Sequence, residues 1–243
     1  MKDYTFRACF IDSFQGTVGA NFALNTLKVK KAAILIDNSS DYSKGLSRIF
    51  KDVFTGQGGQ IVAEQAYLQK DQDFKSTLTA IKAQNPDLLY IPGYYEDVGK
   101  IIKQARELGI TIPILGGDAW DSPKLAELGG PQALNNTYFT NFYSVEDKNP
   151  VSNSFIEAYK KEYGQLPDSM AAMGYDAANL LVDAIKRANS TDSAKIREAL
   201  AATKDFKSVS GDMALNATHD AVRGVVIMEM KDGKQVYKET VKQ

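Results

Sequence analysis

The residues best suited to chemistry fall in four short stretches: Asp12 to Gln15, Asp37 to Tyr42, Tyr94 with Tyr95, and Gly116 to Trp120. Each follows an apolar run. Between them they offer carboxylates, several hydroxyls and several aromatic rings, and Trp120 is the chain's single tryptophan. An acid set among aromatic faces suits a small ligand carrying an ammonium group, because the carboxylate pairs with the charge and the rings add cation–π attraction. Taken singly, the same residues have plainer uses. Tyr94 and Tyr95 fit the packing of a first helical turn, and Asp118 fits a helix cap that accepts from free N–H groups. Together they point to a cleft. Hydrolysis is a poor match, since the acid has no evident partner, nucleophile or metal constellation.

Other chemistries drop out quickly. The single histidine, His219, lies in the polar turn LNATHDAVRG, and no GxSxG elbow accompanies it. The single cysteine, Cys9, rules out an intrachain disulfide and a multi-thiolate metal site. Its apolar surroundings read as those of an inert thiol. GQGGQ (Gly56 to Gln60) stands at a helix end, whereas a phosphate loop leads into a helix N-terminus. No cofactor or metal is therefore expected. Lys and Arg number 29 against 30 Asp and Glu, which gives no electrostatic footprint for nucleic acid. No apolar run reaches the ~20 residues of a membrane helix. The opening MKDYTFRACF lacks the apolar core of a secretory signal.

The elements that must hold these stretches alternate in period. AAILI (Ala32 to Ile36), IVAEQAY, LLYI (Leu88 to Ile91) and TIPIL (Thr111 to Leu115) read as strands. Helices over Asp41 to about Gln57, Asp73 to Gln84 and about Val98 to Leu108 separate them, with Gly58-Gly59 and Gly109 as stops. FRACFID (Phe6 to Asp12), a helix from about Gly16, and Thr137 to Phe142 add a strand, a helix and another strand. This ordering predicts an α/β fold with a doubly wound parallel sheet. Ligands bind such sheets beyond the C-terminal strand ends, where the four stretches lie.

Residues 149–204 differ. They read as three helices without intervening strands: one around Phe155 to Tyr163, a second with Met173, Ala177, Leu180, Leu181, Ala184, Ile185 and Ala188 inward, and a third from Asp192. The tail returns to β as VRGVVIMEM and KQVYKETV, joined through Asp232-Gly233, a strong hairpin signal. Three amphipathic helices need an apolar surface to cover. Either they form a small subdomain or their sheet lies outside this sequence.

The segments FRACFIDSFQG, DNSSDYSKGL, PDLLYIPGYYEDVGKIIKQARELG, GGDAWDSPKL and GYDAANLLVDAI resemble the branched-chain amino acid binding proteins. These are hydrophobic amino-acid receptors of ABC importers with the type I periplasmic-binding-protein fold. The tail from Gly211 to Lys234 resembles that family's closing hairpin region. The resemblance implies two α/β lobes joined by crossing strands, with the amino acid trapped between them. Position by position, Asp118 matches the acid that holds the α-ammonium. Tyr42 and Tyr94 match aromatics lining the cleft, and Trp120 is adjacent as a wall. Tyr175 matches an aromatic from the other lobe, and Phe14 and Asp12 lie near the hinge.

Members also carry an earlier stretch that supplies the first lobe's opening βα units and the groups for the ligand's α-carboxylate. The resemblance therefore implies one complete lobe (4–143 plus 222–243), a helical remainder of the other lobe (144–221), and a truncated chain. It implies no enzyme. It implies a solute-binding component of an importer that is weak in binding by itself, with an ABC permease complex as partner and self-association through 149–204. The location implied is the periplasm or the extracellular cell envelope. The alternative is a regulatory domain of the same fold that senses an amino acid or amide.

Overall fold

A computed structural model describes residues 3–146 and 149–241. Its strands and helices group into two units. The first comprises Asp12–Asn141 and Ile227–Glu239; the second comprises the described residues of Met1–Ile11, Phe142–Val226 and Thr240–Gln243.

The first unit holds α1 (Asp12–Asn21), β1 (Lys31–Asp37), α2 (Asp41–Gly56), β2 (Gln60–Tyr67), α3 (Lys75–Lys82), β3 (Leu88–Tyr90), α4 (Tyr95–Glu107), β4 (Ile114–Gly116), α5 (Pro123–Gly129) and β5 (Thr137–Asn141). Ala32 to Leu35 in β1 are fully buried, as a continuous apolar run in a parallel sheet requires. Helix α2 is amphipathic and buries Leu46, Phe50 and Phe54. Phe50 stacks on Tyr90 of β3 with centroids 4.1 Å apart. Helix α4 buries Val98, Ile101, Ile102 and Ala105, the i, i+3, i+4, i+7 set legible in the sequence.

β1 pairs in parallel with β2 on one side and β3 on the other. β3 then pairs with β4, and β4 with β5, also in parallel. Strand order therefore reverses beside β1, which makes the crevice beyond β1, β3 and β4 the topological switch point. Beyond β5 stand β9 (Val225–Lys231) and β10 (Lys234–Val241), so that seven strands run in the order β10-β9-β5-β4-β3-β1-β2. The two-residue link Asp232-Gly233 forces β9 and β10 to run antiparallel.

The second unit carries the three expected helices, α6 (Pro150–Tyr163), α7 (Ser169–Ala188) and α8 (Ser193–Ala201). Each starts where a side chain accepts from a free N–H: Asn149 from Val151, Asp168 from Ala171, and Asp192 from Ala194 and Lys195. Helix α7 buries a narrow stripe of Ala172, Asp176, Leu180 and Ala184. Leu181 and Ala177, expected inward, are exposed instead.

Two differences from the sequence reading stand out. First, FRACFID is no strand: residues 4–11 have none, and α1 begins at Asp12 rather than near Gly16. The cause is long-range. The Arg7 N–H donates to the His219 carbonyl at 3.0 Å, Phe6 stacks on His219 at 4.1 Å, and Arg223 Nη1 donates to the Ala8 carbonyl at 2.8 Å. Second, a small antiparallel sheet of β6 (Phe206–Ser208), β7 (Gly211–Leu215) and β8 (Ala221–Val222) follows the helices. Strands of two to five residues with mixed burial leave no period to read.

Candidate functional site

Three of the expected residues converge at the switch point of the first unit. Asp118 opens a 3₁₀ turn (Asp118–Trp120) directly after β4. Tyr42 lies in the first turn of α2, whose cap Ser40 accepts from the Ser43 N–H. Tyr94 is the extended residue ahead of α4. The Tyr42 hydroxyl donates to Asp118 Oδ1 at 2.7 Å. The Tyr42 and Tyr94 rings lie 5.5 Å apart at 35°, and Tyr94 keeps 38% of its surface exposed. Asp118 thus stands against Tyr42, whose ring in turn faces Tyr94, partly open to solvent.

A fourth residue joins them, Gln15, which the sequence placed in a candidate stretch without a role of its own. Gln15, in α1 and 1% exposed, donates from Nε2 to Asp118 Oδ1 at 2.5 Å and to Thr140 Oγ1 of β5 at 2.8 Å. Its only local signal was a polar side chain following an expected strand; in the structure it lies buried on α1.

The electrostatics follow from burial. Desolvation pushes the Asp118 carboxyl above its ordinary value, and the hydrogen bonds from Gln15 and Tyr42 pull it back. Desolvation and the adjacent Asp118 push the Tyr42 phenol well up, so it remains a donor. Tyr90 beneath is likewise pushed up by burial, then by Asp118 and Asp12.

The two glycines before Asp118 make room for this geometry. A Cβ on Gly116 would sit 2.1 Å from the Trp120 ring. That indole is fully buried and donates to the Ile91 carbonyl at 3.2 Å. Trp120 therefore supports the site from below and presents no surface as a wall. A Cβ on Gly117 would sit 2.2 Å from the Tyr42 hydroxyl. Gly117→Ala is expected to push that hydroxyl off Asp118 and lower the melting temperature, an overpacking cost of about 1–3 kcal/mol. In a Tyr42→Phe background the same alanine should cost much less, and a double-mutant cycle by thermal melting checks it.

The remaining expected residues stand as follows. Asp12 is exposed and Phe14 half-buried, both in the first turn of α1. Tyr175 belongs to the second unit, on α7; it is 44% exposed, with its ring 4.8 Å from Phe155. Elsewhere in the second unit a cavity of about 480 Å³ is lined by Asp183, Arg187, Thr203 and Lys204 among others. Its guanidinium already donates to Asp183, the Ala199 carbonyl and Thr203, so it is engaged by the protein itself.

Comparison with known proteins agrees with the topology. The family model for periplasmic binding proteins matches residues 1–235. A "Leu/Ile/Val-binding protein homolog 3" of Brucella melitensis biotype 1 is 30% identical over 95% of this chain. The chain spans 62% of that relative's length. The crystal structure of the leucine binding protein LivK from Thermotoga maritima superposes with a TM-score of 0.93 at 40% identity, covering 99% of this chain and 69% of that one. The branched-chain amino acid transporter substrate binding protein LivJ of Streptococcus pneumoniae, solved with isoleucine, gives 0.91 at 35% identity, covering 99% and 68%. With its 2-1-3-4-5 strand order and an acid at the switch point, the chain has the type I fold and belongs to the periplasmic binding protein family.

Proposed function

We propose that this chain binds small amino acids of the branched-chain or hydrophobic type, as the solute-binding component of an ABC importer, by binding without turnover. The observation that carries the reading is the carboxylate of Asp118 bonded to Tyr42, whose ring pairs with that of Tyr94, an arrangement suited to receive an ammonium group. On this reading Asp118 pairs with the ligand's α-ammonium. Tyr42 and Tyr94 wall the cleft, Trp120 stiffens the loop, Tyr175 contributes from the second unit, and Phe14 and Asp12 flank the hinge. The seven-stranded unit is the complete lobe and the helical unit belongs to the other. The names of the relatives support the ligand class, and family membership supports a permease partner and a periplasmic or cell-envelope location. No helix among the described residues is long and apolar enough to cross a membrane.

Affinity is expected to be weak for the chain by itself. Of the donors at the site, the Tyr42 hydroxyl and the Gln15 amide are committed to Asp118 rather than to a ligand's carboxylate. Charge-assisted hydrogen bonds contribute about 1.5–3 kcal/mol each. Two missing ones weaken binding by roughly a hundredfold to ten thousandfold or more. Calorimetry and aromatic-ring NMR with aliphatic amino acids test this. Expected are millimolar-range shifts of Tyr42 and Tyr94. No shift with any amino acid overturns the ligand assignment, and micromolar or tighter binding by a monomer overturns the weak-affinity reading.

The second unit exposes Tyr163, Leu166, Met170, Leu181 and Val182. These apolar groups support self-association of two copies through 149–204. Light scattering should show a dimer that Leu181→Glu dissociates; a strict monomer at high concentration contradicts it.

A further inference from the structure

We propose that Gln15 is a positioning residue that locks Asp118 to receive an ammonium group, and so sets the site's preference for cationic over neutral head groups. The proposal rests on the ammonium reading of Asp118 given above. Its ground is the geometry of the amide. An ionised carboxylate only accepts, so Gln15 must turn its NH₂ toward Asp118 Oδ1, 2.5 Å away. The same nitrogen donates to Thr140 Oγ1 at 2.8 Å, which ties Asp118 through one side chain to α1 and to β5.

The other end of the amide shows that this arrangement has a cost. Gln15 Oε1 is buried and has no hydrogen-bond partner. Buried acceptors are rarely left so. A glutamine placed only to fill the core would satisfy both ends; this one has its donors satisfied and its acceptor stranded. Tyr42 donates to the same oxygen, Oδ1. With two donors on Oδ1 the carboxylate cannot rotate freely, and Oδ2, to which no described side chain donates, is left for the ligand. A neutral head group offers a weaker donor to that oxygen than an ammonium does.

The test is a carbon-13 titration of the Asp118 carboxyl in the ligand-free chain, for wild type, Gln15→Met and Thr140→Val. Gln15→Met removes the donor at nearly constant volume. Its Asp118 midpoint should rise by about one pH unit, the size of a lost charge-assisted hydrogen bond. Thr140→Val frees the amide without removing it and should give a smaller rise in the same direction, which keeps the test usable if Gln15→Met does not fold. An unmoved midpoint in the folded variants overturns the positioning role. The preference for leucine over 4-methylpentanoate, which lacks the ammonium, should fall about tenfold in Gln15→Met. A raised midpoint with an unchanged preference overturns the specificity role. A raised midpoint in the variants, with a wild type that does not prefer leucine, supports the positioning role and removes the ammonium reading alone.

Discussion

Asp118→Asn will abolish recognition of amino acids while leaving the chain folded and no less stable. Asparagine keeps the shape and still accepts from Gln15 and Tyr42 through its oxygen, so the local bonds persist. What disappears is the charge. Truncating one side of a buried, hydrogen-bonded charge pair costs about 2–5 kcal/mol, on the order of a hundredfold in affinity. The stability effect has the opposite sense. Burial raises the folded-state pKa of Asp118 above its unfolded value. The ionised group therefore opposes folding at every pH above the folded pKa. That cost is relieved as pH falls through the folded pKa toward the unfolded one. Asparagine relieves it at all pH values. The expected outcome is loss of the leucine-induced Tyr42 and Tyr94 shifts, with a melting temperature at neutral pH equal to or above wild type. Retained shifts would sink the assignment of Asp118. A large fall in melting temperature would sink the claim that its charge is held at a cost.

The largest stability loss is expected in the second unit. Arg223 and Asp176 face each other at 3.6 Å with both side chains 1% exposed. Arg223 Nη1 also donates to the Ala8 carbonyl and to Met173 Sδ, and Asp176 Oδ1 accepts from the Val209 N–H at 2.8 Å. One guanidinium thus ties the N-terminal segment to α7. Arg223→Met leaves a buried carboxylate unpaired, which costs about 3–5 kcal/mol, a large share of the stability of an ordinary domain. Burial already raises the Asp176 carboxyl, against the pull of Val209 and Arg223. Without the arginine the folded pKa rises further, so the variant should regain stability as pH is lowered through it. Adding Asp176→Asn should recover most of the loss at neutral pH. Urea midpoints of the two singles and the double decide the point, and simple additivity would refute the coupling.

Local signals carried most of the sheet-bearing unit. An uninterrupted apolar run needs two covering layers wherever it goes, so β1 was legible before any neighbour was known. Asp232-Gly233 between two strand-like runs specified a hairpin by turn geometry alone. The failures have a common cause in distance along the chain. Phe6 and Arg7 look like strand residues until His219 and Arg223 claim their neighbourhood from far away. The site divides in the same way. Asp118, Tyr42 and Tyr94 were expected together because each follows a strand end, and strand ends of a parallel sheet gather by topology. Gln15 stood in a candidate stretch without a role, because that role exists only once partners 103 and 125 positions away are beside it. Trp120 was read as a wall because a ring after a strand has the same local signature whether it faces a cleft or fills the floor below it.

The position of β9 has a consequence for how this protein is made. β5 is buried along its whole length, yet its outer neighbour is encoded far downstream, and β10 ends only at Val241. On the ribosome, about a hundred residues must emerge after β5 before that edge is covered, an interval of roughly 5–20 s at ordinary elongation rates. Throughout it the nascent chain presents an uncovered strand edge with free backbone groups, a template for pairing with a neighbouring polypeptide. Early release before β9 would therefore yield a sticky product, and holding by a chaperone would matter most in that window.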